Sequence, residues 1–267
     1  KAGLAPTHTW LPDVHAQGPA PISALLSGVL LKCAMLALFR YYAIAAQATG
    51  MEFVQSVMVI SGLITLFVGG IFLIRQHDVK RMFAYHSIVH MGVIAFALGV
   101  GGPFGLFAAI FHCLAHSFTK ALAFCSTGNI ARIYGHKDMT KMGGMVKIAP
   151  ITTMMFGAAV CSLVGVPAFA IFVSEYNVFV GAINSGQYFS VALFAIALAI
   201  IFIADFSHFN MASFGEPKAA VVHNKEMSIV ENLPLILLCA LIIIFGVWHV
   251  ENFYALVNEG VKIMMGV

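Results

Sequence analysis

A set of ionisable side chains stands where an apolar chain does not ordinarily carry charge. Lys32, Lys120, Glu175 and Asp205 lie inside long hydrophobic runs, together with the histidine pairs His86/His90 and His112/His116. His208 falls in the same run as Asp205, and Lys1 joins the set if preceding chain completes a helix. A charged group at the centre of a bilayer costs ~2.5–3.5 kcal/mol on insertion scales, so such residues face a bundle interior and pair or sit near water. The chemistry this set can do is proton exchange. Histidine titrates near neutral pH and carries two ring nitrogens, so it can accept on one side and release on the other. Lys32 lies midway along its run, too far from either end to snorkel. It is either a relay lysine or a structural one held by a carbonyl or carboxylate. His112, His116 and Lys120 follow i, i+4, i+8 and fall on one helical stripe. That stripe suits a relay, interhelical packing or, by its histidine spacing, a metal site. No third ligand stands beside the pair, and a lysine there repels a cation, so no metal is assigned. His86, His90, Asp205 and His208 lie near the basic ends of their runs and read equally as a cytoplasmic uptake route or as interface residues. Glu175 is a proton acceptor or a static partner for a lysine.

The elements that position these groups follow from composition. Apolar residues make up 61% of the 267-residue chain and charged residues 9%, against roughly 25% charged in an ordinary soluble domain. This excludes a soluble enzyme, a disordered chain and a nucleic-acid binder. Cys33, Cys113, Cys125, Cys161 and Cys239 lie in apolar runs without disulfide or zinc spacing, and read as small membrane-core residues. A spanning helix needs about 20 apolar residues. Seven runs qualify: 22–42, 53–74, 83–100, 104–130, 148–183, 189–209 and 233–256. The fifth is too long for one straight span and contains Gly165-Val166-Pro167, where Pro167 removes a backbone donor, so it is predicted to be a broken helix. Residues 1–21 carry Pro6, Pro12, Pro19 and Pro21 and are predicted to form a short interrupted helix or a re-entrant segment. Irregular backbone at membrane depth persists only against protein or a wet cavity. The expected fold is therefore an all-α polytopic bundle forming a single membrane domain over 1–267.

Alternate loops collect Arg75, Lys80, Arg81, Arg132, Lys137, Lys141, Lys147, Lys218 and Lys225 on one side, with Arg40 and Lys262 on the other. The positive-inside rule makes the first side cytoplasmic and turns the carboxy terminus outward. The polar loop 211–232 is then cytoplasmic and available to a partner.

The segments KAGLAPTHTWLPDVHAQGPAPISALLSGVLLK, DVKRMFAYHSIVHMG, FHCLAHSFTKALAFCSTGNI and VPAFAIFVSEYNVF resemble the antiporter-like membrane subunits shared by respiratory complex I, Mrp-type antiporters and membrane-bound hydrogenases. The match runs in family order to about residue 185. GEPK and ENLP are most like the branch of component F of hydrogenase-4. The resemblance implies fourteen spanning helices in two inverted five-helix repeats, each with a broken helix. The seven spans here would correspond to the last seven, with residues 1–21 as the remnant of a broken helix and its re-entrant loop. By position in the motifs, Lys1 resembles the lysine of the first broken helix, Lys32 the central lysine of the next helix, and Glu175 the carboxylate of the second broken helix. His112, His116 and Lys120 fall in the polar helix between the breaks. These six are the expected proton-translocation residues, with Pro6, Pro12, Gly165 and Pro167 at the helix breaks. The family's glutamate partner for the first lysine has no counterpart here. The chain opens on Lys1 without a methionine or signal peptide, and is expected to be the carboxy-terminal part of a longer subunit. The implied role is a non-catalytic, proton-translocating subunit in the inner (plasma) membrane. It would hold no cofactor of its own, and iron–sulfur clusters with a Ni-Fe centre or flavin would lie in partner subunits. An Mrp-like cation/proton antiporter subunit and an inactive fragment with a structural role are the alternatives.

Overall fold

In the computed structural model, residues 1–216 and 225–266 are described, and the chain is helical throughout. A turn over residues 5–9 leads into α1 (Trp10–Gln17), then α2 (Ala20–Leu25), a five-residue π-turn (Leu26–Leu30) and α3 (Leu31–Thr49), which run on as one rod. Next come α4 (Met51–Ile74), α5 (Val79–Val100) and α6 (Gly102–Tyr134). After a short 3-10 turn follow α7 (Met145–Ile148), α8 (Pro150–Leu163), α9 (Ala170–Asn184), α10 (Tyr188–Ser213), α11 (Leu233–Val247) and α12 (Glu251–Met265). Among the described residues five are long and apolar enough to cross a bilayer: the α2–α3 rod, α4, α5, α6 and α10.

The predicted fifth span is two half-helices. Helix α8 ends at Leu163 and α9 begins at Ala170. Between them Gly165 takes φ +68° and Ala168 φ +87°, backbone that a continued α-helix does not use. Pro12, by contrast, lies inside the first turn of α1 rather than at a break, where its missing N–H costs nothing.

The seventh predicted span needs correction. Instead of one helix over 233–256, α11 and α12 meet at a 72° bend. The apolar run ends at Val247, Trp248 is extended, and from Glu251 the sequence becomes amphipathic. Helix α12 buries Val257 and Val261 and sets the Phe253 and Tyr254 rings against Phe111, the first edge-on and the second tilted. It leaves Glu259 and Lys262 exposed as an ion pair of 2.7 Å. A polar face of this kind cannot continue through hydrocarbon, so the chain turns. Of the cysteines, Cys33 is exposed on the bundle and the other four are half-buried.

Helix α5 forms the centre of the bundle, with nearly every residue buried. Asp78 caps its amino terminus by accepting from the amides of Lys80 (2.8 Å) and Arg81 (2.9 Å), satisfying donors a helix otherwise leaves orphaned. Helix α4 packs along α5 through small residues. A Cβ on Gly62 would lie 2.8 Å from Phe96 Cα, and one on Gly92 would lie 3.0 Å from Gly62 O. Apolar tails give helices no solvent-driven reason to associate in a membrane, so close backbone approach through glycine supplies the packing energy. Gly62→Val should therefore wedge the pair apart at a cost of about 1–3 kcal/mol or more. A lowered melting temperature of the detergent-solubilised protein checks this, and an unchanged one would show that the contact is dispensable.

The basic loops join at one end of the bundle. Val79 N donates to Lys137 O, Met139 N to His77 O and Gly144 N to Phe214 O. Lys137 Nζ reaches Ala16 O at 2.7 Å and Lys80 Nζ binds Gly18 O, so two cations meet the carbonyl end of α1 as its dipole favours. The loop expected over 211–232 starts later, because α10 continues to Ser213. Residues 217–224, Lys218 among them, lie outside the described residues. At its far end Asn232, at the cap position of α11, accepts from Asn129 Nδ2 at 2.8 Å. That contact ties the ENLP stretch to α6.

Candidate functional site: a buried lysine and histidine network

The site begins at the π-turn. Ser27 and Gly28 interrupt an otherwise strongly apolar helix, and the wider i→i+5 turn leaves their carbonyls free of normal α-helical pairing. Lys32 Nζ donates to Ser27 O at 2.8 Å, and Ser117 Oγ of α6 donates to Gly28 O at 2.6 Å. Gly28 permits this approach, since a Cβ there would lie 3.3 Å from Ser117 O. Ser27 Oγ also meets Ser87 Oγ of α5 at 2.8 Å. The π-turn thus aims Lys32 inward between α5 and α6.

Lys32 Nζ contacts His116 Nδ1 on α6. The His116 ring lies 4.9 Å from that of His90 on α5. His90 Nδ1 is 3.0 Å from His112 Nε2, and His112 Nδ1 is 2.8 Å from Ser174 Oγ on α9. Ser174 in turn donates to Ile171 O at 2.7 Å. His90, His112, His116 and Ser174 are completely buried. Helices α3, α5, α6 and α9 therefore contribute to one line of exchangeable protons, with α3 at one end and the second half of the broken helix at the other.

The line from His90 through His112 to Ser174 has two polarities. If Ser174 accepts from His112 Nδ1, then neutral His112 accepts at Nε2 from His90. If His112 carries its proton on Nε2, it donates to His90 and accepts at Nδ1 from Ser174, whose hydroxyl then turns away from Ile171 O. Neutral imidazole holds one donor and one acceptor, so passage of one proton converts one arrangement into the other. The Nε2 atoms of His90 and His116 are buried without a hydrogen-bond partner among the described residues.

Glu175 is the next residue on α9, and neighbours on a helix do not face one another. Its carboxylate instead lies over Gly165 in the break, in the space a Cβ on that residue would need. Oε1 is buried and unpartnered, and among the described residues Glu175 has no ion-pair partner. The static lysine–glutamate pair considered from sequence is not formed among the described residues.

Lys120 separates from the histidines of its own stripe. Its Nζ donates to Phe83 O at 2.6 Å and lies 5.6 Å and 5.7 Å from the ring centroids of Phe83 and Phe124, a cation–π arrangement. Next to it Thr119 Oγ1 meets Ser162 Oγ of α8 at 2.9 Å. His86 bonds Asp205 and stacks on His90 at 5.8 Å. His208 faces Leu73 O at 3.1 Å. Lys1 is not brought to the network; it is exposed and lies beside Leu30 and Cys33.

Sequence reasoning missed Ser27, Ser87 and Ser174 as members of the network. A serine next to Glu175 and a Ser-Gly pair five residues before Lys32 were the available signals. Serine is too common in membrane helices for either to stand out. His15 was missed too; it is buried and stacks on Phe124 at 4.9 Å. Among the described residues no three His, Cys, Asp or Glu side chains converge as metal ligands.

The geometry can be set beside known proteins. Over 218 residues the chain is 34% identical to a hydrogenase-4 component F homolog of Methylacidiphilum infernorum, covering 82% of this chain and 46% of that protein. It is 32% identical over 253 residues to a Na(+)/H(+) antiporter subunit of Alkalihalophilus pseudofirmus, covering 92% and 50%. The chain thus spans about half the length of these relatives. Its fold superposes on a chain of the Mrp complex from Dietzia sp. with a TM-score of 0.89 at 20% identity, over 99% of this chain and 57% of that one. The transmembrane family described as NADH:quinone oxidoreductase/Mrp antiporter matches residues 1–201, and with the multi-pass bundle and its buried polar line in place, the chain belongs to that family.

Proposed function

We propose that this chain is the proton-conducting half of an ion-translocating membrane subunit in a membrane-bound hydrogenase or complex I-like assembly. The observation that carries the proposal is the buried line from Lys32 through His116, His90 and His112 to Ser174, ending at the helix that bears Glu175. Packing alone gives four helices no reason to turn these polar side chains toward each other in an apolar bundle. Lys32 is the loading group at one end, and Glu175, at the break, is the acceptor at the other. Lys120, held on Phe83 O, is a fixed neighbouring cation that biases where the proton rests. Electron transfer takes place in partner subunits, where iron–sulfur clusters and a Ni-Fe centre or flavin reside. The relative named as a hydrogenase-4 component F homolog supports this setting. The complex sits in the plasma membrane with the basic loops on the cytoplasmic side and the carboxy terminus outward.

The test is His90→Leu in the full-length subunit within its complex, with donor-driven acidification followed in inverted vesicles. Pumping should fall at least about tenfold, as expected when an acid–base group is removed, while donor oxidation continues. Undiminished pumping would show that the histidines only pack.

The similarity to a Na(+)/H(+) antiporter subunit favours a second reading, an Mrp-like cation/proton antiporter subunit. Sodium-dependent proton movement in vesicles lacking any electron donor would favour it over the redox-coupled one.

A further inference from the structure

The polar line just described leaves one pair unused. His86 Nε2 on α5 lies 2.6 Å from Oδ1 of Asp205 on α10 and equally close to Oδ2. Both side chains are 0% exposed. Asp205 and Glu175 are the two acids buried in the bundle core among the described residues, in a core that also buries Lys120 and four histidines on α5 and α6, with Lys32 half-buried. Asp205 alone of the two is in contact with a basic group. The His86 ring lies 5.8 Å from His90, nearly parallel at 22°. His86 Nδ1 and His90 Nε2 are both buried without a partner among the described residues, so each of these adjacent rings keeps a free nitrogen. The other titratable groups near the pair are Lys120 on α6 and His208 on α10.

A buried carboxylate held against an imidazole keeps that ring in one orientation and stabilises it when it gains a second proton. Removing one partner of such a pair leaves a costly uncompensated charge. A merely structural pair would not need to stack on the junction of the line.

We infer that His86 and Asp205 form a side branch of the polar line in which a translocated proton is held as an imidazolium–carboxylate pair, exchanging with the line through His90. This rests on the relay reading above and extends it. The step balances in protons. His112, doubly protonated when the extra proton is on the line, passes its Nε2 proton to His90 Nδ1 and is left neutral, and His90 gives its Nε2 proton to His86 Nδ1. His86 keeps its original proton on Nε2 toward Asp205 and becomes a cation beside the carboxylate; return reverses the transfer. Asp205 is thus a positioning residue for the held proton, and the axis can carry an extra proton without placing it beside Lys32, the carboxylate offsetting the nearby Lys120.

The experiment uses the intact complex with three variants, Asp205→Asn, His86→Gln and the double variant, with Lys32→Met alongside. Donor-driven acidification is measured together with donor turnover, which reports assembly. Each single variant should lower pumping about fivefold or more, and the double variant no further, as residues acting as one unit do. The infrared difference spectrum between the energised and resting native complex should show a histidinium band that vanishes in His86→Gln. That band carries the test even if Asp205→Asn fails to assemble. Normal pumping in Asp205→Asn while Lys32→Met is inactive would overturn the branch and leave the line intact. Losses that multiply in the double variant, or a band unchanged in His86→Gln, would also overturn it. Normal pumping in Lys32→Met would instead remove the relay reading on which the branch rests.

Discussion

Replacing Lys32 by methionine should abolish donor-driven proton pumping, a loss on the order of 100-fold, in a subunit that still assembles. The side chain keeps its length, so α3 should pack as before. What disappears is the ammonium that links Ser27 O to His116 Nδ1. Ser27 O loses its donor, which costs about 1–3 kcal/mol when buried. Removing a desolvated ammonium offsets much of that, because buried ionic groups contribute little net stability. Loss of activity should therefore appear without loss of protein. Lys32→Arg sharpens the point. Guanidinium keeps the positive charge but does not release its proton in proteins. If Lys32 works by proton exchange, the arginine variant is as inactive as the methionine variant. If the arginine variant pumps normally, Lys32 acts only as a fixed charge. Acidification of inverted vesicles, normalised to donor oxidation, reads both cases.

The second large effect should come from Gly165→Ala. Gly165 adopts φ +68° at the end of α8, a left-handed conformation that costs an L-residue roughly 1–2 kcal/mol. The added methyl also has nowhere to go, because the Glu175 carboxylate fills its position. Either the backbone leaves its turn or Glu175 moves off the break, and both separate the acceptor from the Ser174 end of the line. Pumping should fall at least about tenfold, and the melting temperature of the purified complex should drop. Glu175→Gln separates the two causes, since it leaves the backbone alone. Equal losses in the two variants place the effect on the carboxylate. Normal pumping in Gly165→Ala would mean that the turn yields without moving Glu175, and that its position is not critical.

The amino-acid sequence by itself determined the class of molecule, most of its crossings and the set of residues able to exchange protons. These follow from one-dimensional quantities. A run of about 20 apolar residues must span, and Gly165 with Pro167 must interrupt a helix. Lys32, His112, His116 and Glu175 stand out because burying an ionisable group is expensive wherever it occurs. Helical periodicity even placed His112 and His116 on one stripe of α6.

What periodicity could not decide was partnership. Lys32 meets His116 from 84 positions away, His112 meets Ser174 from 62, and His86 meets Asp205 from 119. Each contact depends on how far a helix is rotated and which neighbour it packs on, and these are set by shape complementarity along α4, α5 and α6. For the same reason Lys120, on the histidine stripe by spacing, turns to Phe83 O instead, and Glu175 sits over Gly165 rather than against a lysine. The π-turn ahead of Lys32 and the bend between α11 and α12 are also tertiary outcomes. One is fixed when Ser117 and Lys32 satisfy its open carbonyls, the other when α12 finds α6 to cover its apolar face.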